Sequence, residues 1–163
     1  MQQGPKIIIL TAGYGTGHIQ VSKTLQESFH RYGVDRVKIM LGKKKMIDIM
    51  KEEKPDAIVY TFPFAGVSEQ LKSQGITVPL FTVITDFSLH NRWLLTNSDR
   101  FYVATDDLKR DMVSRGIQPA RIAVTGIPIR ERFYERRALQ GQRENKRSIL
   151  IITGAHGVLP ISK

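Results

Sequence analysis

Three apolar runs, each closed by a turn and followed by a helical pattern, constrain this chain more than any other feature. Lys6–Ala12 (KIIILTA), Ala57–Thr61 (AIVYT) and Pro79–Thr85 (PLFTVIT) do not alternate with charged residues. Strands of that kind are buried on both faces, which is the mark of a parallel sheet. Arg36–Leu41, Arg100–Ala104, Arg121–Val124 and Ser148–Thr153 read as further strands. Between them fall four helical patterns. Gly17–Tyr32 places Val21, Leu25, Ser28, Phe29 and Tyr32 on one face and stops at Gly33. Lys43–Lys54 carries Met46, Ile47, Ile49 and Met50 on its apolar side, and Val67–Gly75 is a short helix. Thr105–Gly116 is capped by Thr105. Strands alternating with helices predict an α/β fold, a parallel sheet with helices on both faces. Loops at the carboxyl ends of its strands then become the candidate functional set: Gly13–His18, Phe62–Gly66, Asp86–Trp93 and Thr125–Arg130.

The glycine loop after the first strand, LTAGYGTGHIQVSKTL, poses the sharpest chemical question. A dinucleotide site needs G-x-G-x-x-G and an acidic residue ending the second strand. Here the spacing is Gly13-x-Gly15-x-Gly17, and VKIML runs into Gly42 without an acid. A P-loop needs Lys then Ser or Thr after its last glycine, whereas Gly17 is followed by His18. Both phosphate cradles fail. Glycines also let the backbone turn sharply and let a ligand come close. His18 falls in the first turn of the helix, where the positive end of the dipole disfavours imidazolium. A neutral imidazole there can take a proton from an attacking hydroxyl. The competing reading is a histidine that only satisfies a loop carbonyl.

The other loops keep their alternatives. Asp86 and His90, four apart, resemble two metal ligands on a helical turn, but lack a third, so no metal is expected. Asp86 as the cap of the segment after its strand is the simpler reading. Trp93, the only tryptophan, is either a lid over a ligand or core. Arg130 follows a Gly-Ile-Pro turn and could meet a phosphate.

Composition removes whole classes of function. The 163 residues, 41% hydrophobic and 25% charged, suit one core, and no apolar stretch is long enough to cross a bilayer. With no cysteine there is neither a disulfide framework nor a thiolate metal site. MQQGPKIIIL is too short an apolar start for a secretory signal, so a cytoplasmic location is expected. The formal charge of +10, gathered at Lys43–Lys45 and from Arg130 to Arg147, implies attraction to an anionic partner or a solvated basic face. No nucleic-acid recognition signature accompanies it.

Taken in order, TAGYGTGHIQVSKTL, PDAIVYTFP, PLFTVITDFSLHNRW, FYVATDDLKRDM, TGIPIRERF and ITGAHGVL resemble the diacylglycerol glycosyltransferases. These are the bacterial processive glucosyltransferases and the plant monogalactosyldiacylglycerol synthases. The resemblance implies the amino-terminal half of a two-domain B-type glycosyltransferase with Rossmann-like domains. It implies inverting transfer of glucose or galactose from a UDP-sugar to the hydroxyl of diacylglycerol, without a further cofactor. His18 matches the family's loop histidine and becomes the candidate base. Gly15, Gly17, Asp86, Trp93 and Arg130 become candidates for acceptor binding. Gly154, His156 and Gly157, in the GAHG turn, become candidates for donor binding. The resemblance also implies peripheral association with the cytoplasmic face of an anionic membrane, which the charge suits. The expected organisation is an acceptor domain over 1–138, a linker over 139–147 and the start of a donor domain over 148–163.

Two departures from the family pattern bear on activity. Typical members carry several tens of residues, rich in aromatic and basic positions, where VKIM here passes directly into LGKKKMIDIM. The donor domain's acidic sugar-contacting motif is also absent from the sequence. The chain is therefore expected to act as an acceptor-domain fragment without turnover of its own. The alternative reading is a non-catalytic lipid-binding module.

Overall fold

The computed structural model describes residues 4–13, 16–42 and 46–134. The chain divides into two compact units, 1–129 and 130–163. The first contains a six-stranded sheet, built from β1 (Lys6–Thr11), β2 (Arg36–Leu41), β3 (Ala57–Tyr60), β4 (Leu80–Val83), β5 (Arg100–Val103) and β6 (Ile122–Val124). Its order is β2-β1-β3-β4-β5-β6, and every pairing is parallel. The order reverses once, at β1, so the carboxyl ends of β1 and β3 flank the switch point where open sheets of this kind receive ligands.

Among the described residues five helices connect the strands: α1 (Thr16–Arg31), α2 (Met46–Glu53), α3 (Val67–Ser73), α4 (Asn91–Leu94) and α5 (Asp106–Ser114). Side-chain alternation along β1 sorts them into layers. Ile8 and Leu10 pack with Met46 and Met50 of α2 and Val67 and Leu71 of α3. Ile7 and Ile9 point the other way, to Val21 of α1. Phe101 of β5 pairs with Thr82 and packs with Trp93 of α4 and Leu108 and Met112 of α5, which puts α4 and α5 on the side of α2 and α3. The other face carries α1 over β1 and β2, and beside α1 a cavity of about 380 Å³ is lined by Val59, Phe81, Val83 and Tyr102. Each fully buried aliphatic of β1 contributes about 1.5–3 kcal/mol.

Several expected boundaries move, for physical reasons. The central strands stop earlier at their carboxyl ends than their apolar runs, at Thr11, Tyr60 and Val83. Thr61 and Thr85 then lie just past the paired residues; Thr61 N still donates to Leu10 O, but its carbonyl and the side chains of both can meet other partners. α1 ends at Arg31, so Tyr32, placed on the apolar face by periodicity, is 83% exposed. α4 is a single turn inside a segment expected to be loop. Thr105 does cap α5, its Oγ1 accepting from Leu108 N at 3.3 Å.

The second unit is described over 130–134, where Glu131–Phe133 forms a 3₁₀ turn. The Arg130 and Arg132 guanidiniums lie 5.5 and 5.2 Å from the centre of the Phe133 ring. The expected linker and donor-domain start, and most of the second basic cluster, lie outside the described residues. Lys43–Lys45 lies outside them as well.

Candidate functional site

The ends of β1, β3 and β4 converge on one imidazole. α1 starts at Thr16, five residues after β1, which carries His18 into its first turn. His18 Nδ1 lies 2.8 Å from the Thr61 carbonyl oxygen and 2.8 Å from Thr85 Oγ1. A carbonyl oxygen only accepts, and an imidazole lone pair facing it at that distance would repel it. Nδ1 therefore carries the hydrogen and donates, and Nε2 of the neutral ring holds the lone pair. The ring is further fixed by Phe62, edge-on at 5.1 Å, and lies 6.4 Å from Trp93.

The backbone that supplies this carbonyl is itself tied down. Thr61 N donates to Leu10 O at 3.1 Å. Ser22, one turn along α1, gives its hydroxyl hydrogen to His18 O at 2.8 Å. Its 2.8 Å contact with Thr61 Oγ1 must then be an acceptance, with Thr61 as donor. Ser22 and Thr61 are both fully buried. A closed set of bonds thus joins the first turn of α1 to the end of β3.

The carboxylate that follows Thr85 is committed elsewhere. Asp86 Oδ2 accepts from the Trp93 indole nitrogen at 2.8 Å. This corrects the reading of Asp86 as a helix cap: the cap of α4 is His90, whose Nδ1 accepts from Arg92 N at 3.2 Å. Asp86 and His90 make separate hydrogen bonds. Among the described residues no group of three or more carboxylate or imidazole side chains could hold a metal ion. Trp93 is 0% exposed and packs with Ile84, Phe101 and Val103, so of its two readings the core holds and the lid does not.

Gly17 is an exposed member of α1 beside His18. A Cβ added at Gly13 or Gly17 would meet nothing within 4 Å, and neither backbone is left-handed. The fold itself does not require glycine at either position. Beside this loop is a pocket of about 470 Å³ between Ala12, Gly13, Gly42, Phe62–Ala65 and α4, with Arg92 and Leu95 at α4's edge. Phe62 belongs to both the pocket wall and the His18 ring contact. Leu41, Phe87 and Leu95 are exposed at the same carboxyl edge of the sheet. Arg130 is held over Phe133 in the second unit. Gly15, Gly154, His156 and Gly157 lie outside the described residues.

Periodicity did not single out Thr61, Thr85, Phe62 or Ser22. For Thr61, Phe62 and Thr85 the one sequence signal is position at or just past the ends of apolar runs, where a parallel sheet presents its functional groups; Ser22, inside α1, carries no such signal.

A six-stranded parallel sheet with an imidazole at its switch point defines a Rossmann-like α/β domain. In fold it is similar to the lipopolysaccharide outer core galactosyltransferase WaaB in its apo form, with a TM-score of 0.51 and 15% identity over 72% of this chain and 44% of that one. Residues 18–129 match the monogalactosyldiacylglycerol (MGDG) synthase family. The chain is 34% identical to processive diacylglycerol beta-glucosyltransferases of Bacillus cytotoxicus and Bacillus cereus, over 98% of its own length and 55% of theirs. The chain belongs to this diacylglycerol glycosyltransferase family. It spans about half the length of these relatives. The alignment runs over 218 positions against a chain of 163 residues, so within the matched region the relatives carry residues that this chain lacks.

Proposed function

We propose that this chain is the acceptor-binding half of an inverting glycosyltransferase that moves glucose or galactose from a UDP-sugar to diacylglycerol. The observation that carries the reading is the 2.8 Å bond from His18 Nδ1 to the Thr61 carbonyl, which leaves the Nε2 lone pair available as a base. In the reaction the free hydroxyl of diacylglycerol gives its proton to Nε2. Its oxygen bonds to the anomeric carbon as the bond from that carbon to the phosphate oxygen breaks, and UDP leaves with the electron pair. General-base assistance of this kind contributes about 10²–10⁴-fold.

The open space beside Gly13 and Gly17 lets the glycerol approach the loop, and the pocket walled by Phe62 and Leu95 suits its apolar part. The exposed Leu41, Phe87 and Leu95, with a chain charge of +10, support docking on an anionic membrane surface. None of the described helices is long and apolar enough to cross a membrane. The donor would be held by the other half of the enzyme, with Gly154, His156 and Gly157 at its entrance. The chain alone would then bind acceptor without turnover.

The test is sugar transfer from UDP-glucose and UDP-galactose to diacylglycerol. It is run on the chain alone and on a fusion to the carboxyl-terminal half of the Bacillus cereus relative. Transfer by the fusion that falls by about 10²-fold or more in His18→Ala is expected. Undiminished transfer by the His18→Ala fusion overturns His18 as base.

A further inference from the structure

We infer that Thr85 is a positioning residue for His18, and that the base is oriented by neutral oxygens rather than by a carboxylate. The inference rests on the reading of His18 as base. Histidines that act as bases are commonly held through the other ring nitrogen by an acidic side chain. The carboxylate that follows Thr85 is Asp86, and its Oδ2 accepts from the Trp93 indole at 2.8 Å rather than from His18. What faces Nδ1 is the Thr61 carbonyl and the Thr85 hydroxyl, each at 2.8 Å.

The two acceptors do different work. The residue that bears the Thr61 carbonyl is held by its N–H bond to Leu10 O and by its side-chain bond to Ser22, and the carbonyl favours a hydrogen on Nδ1 while the ring stays turned toward it. Thr85 comes from the end of the β4 run, next to β3 in the sheet, and gives Nδ1 a second acceptor that resists rotation of the ring away from Thr61. One Nδ1–H shared between two oxygens on different strands has a single well-satisfied ring orientation. When Nε2 takes the acceptor's proton, the Nδ1–H already points at two oxygen lone pairs, and no ring flip or carboxylate shift is needed. With the hydrogen on Nδ1, Thr85 Oγ1 accepts it through a lone pair, and the hydroxyl's own hydrogen is turned away from the ring.

The test reads the tautomer first, on the chain itself. Two-bond nitrogen–proton spectra of imidazole-labelled protein, recorded where His18 is neutral, are expected to show Nδ1 protonated and Nε2 bare. That is the reverse of the preference of free histidine in water. In Thr85→Val the population is expected to shift toward the Nε2–H form while the amide spectrum stays that of the folded chain. Thr85→Ser is expected to restore the original form. In the fusion enzyme Thr85→Val should lower kcat by about 10-fold to about 100-fold with KM little changed, less than the loss of the base itself. Thr85→Ser should recover most of it.

A wild-type Nε2–H tautomer overturns the inference, whether or not any variant folds. So does a folded Thr85→Val with unchanged tautomer and kcat. If the tautomer result holds but His18→Ala still transfers sugar, the function reading fails and the positioning geometry stands. If His18→Ala abolishes transfer but Thr85→Val changes nothing, only the positioning inference fails.

Discussion

The Trp93 indole donates to Asp86 at 2.8 Å, and this bond decides what the loop after β4 does. It engages the carboxylate, seats α4 against β5 through a fully buried ring, and leaves Thr85 as the side chain from that strand end that reaches His18. Asp86→Ala strands a buried indole N–H, so a loss of about 1–3 kcal/mol is expected in urea unfolding. Trp93→Ala should cost about 3–5 kcal/mol through the cavity it leaves. Asp86→Asn, which keeps an acceptor oxygen, should cost less than Asp86→Ala.

The glycine loop should separate stability from function. Gly17 lies in α1 with open space where a Cβ would go, so Gly17→Ala is expected to leave stability unchanged or raise it by up to about 1 kcal/mol. The same methyl would occupy the approach to His18 and should weaken diacylglycerol binding. Thermal melts and lipid titrations on one preparation check both halves. Equal binding by the variant would mean that no ligand uses that space.

Much of this architecture was legible in the sequence. KIIIL, AIVY and PLFTVIT announce a parallel sheet because strands covered on both faces need no polar alternation, and His18 stands out as the histidine of a glycine turn. The holder of that histidine was not legible. Thr61 contributes a backbone carbonyl, which any residue would supply, and Thr85 reaches the ring only because β1, β3 and β4 are neighbours in the sheet. Tyr32 fits the helical period of α1, but the helix ends one residue before it. The capping role expected of Asp86 went to His90, since α4 begins four residues later than a cap at Asp86 implies.

Tyr60 carries a cost that the fold does not recover. Its hydroxyl is buried without a hydrogen-bond partner, and burial pushes its pKa upward, with Glu69 adding to the shift. Tyr60→Phe removes an unsatisfied donor and keeps the ring against Phe64. The urea midpoint is expected to stay or rise, by up to about 1–3 kcal/mol in free energy.

Acid stability should depend on Glu53. Hydrogen bonds from Lys38 and Lys6 lower its pKa to about 2 from an ordinary 4.5. Since the folded-state value is the lower one, the contribution is present above about pH 4.5 and lost as pH falls through about 2. Glu53→Gln should therefore be less stable than wild type near neutrality, with the difference shrinking across that acid window. Denaturant midpoints along a pH series measure it.

Membrane docking should be electrostatic first. Co-sedimentation with anionic vesicles is expected to exceed that with zwitterionic ones, given the net charge of +10. It should weaken as salt shortens the screening length from about 10 Å toward about 3 Å. Phe87→Ser, at a side chain 75% exposed on the carboxyl edge, should reduce the salt-resistant part.

The central claim, that this chain presents a lipid hydroxyl to His18, is tested most directly by titrating the imidazole-labelled chain with a short-chain diacylglycerol. The Nε2 resonance of His18 is expected to move as the hydroxyl bonds to it, while the Nδ1–H held by Thr61 and Thr85 stays in place. His18 resonances that remain unmoved at saturating diacylglycerol would contradict it.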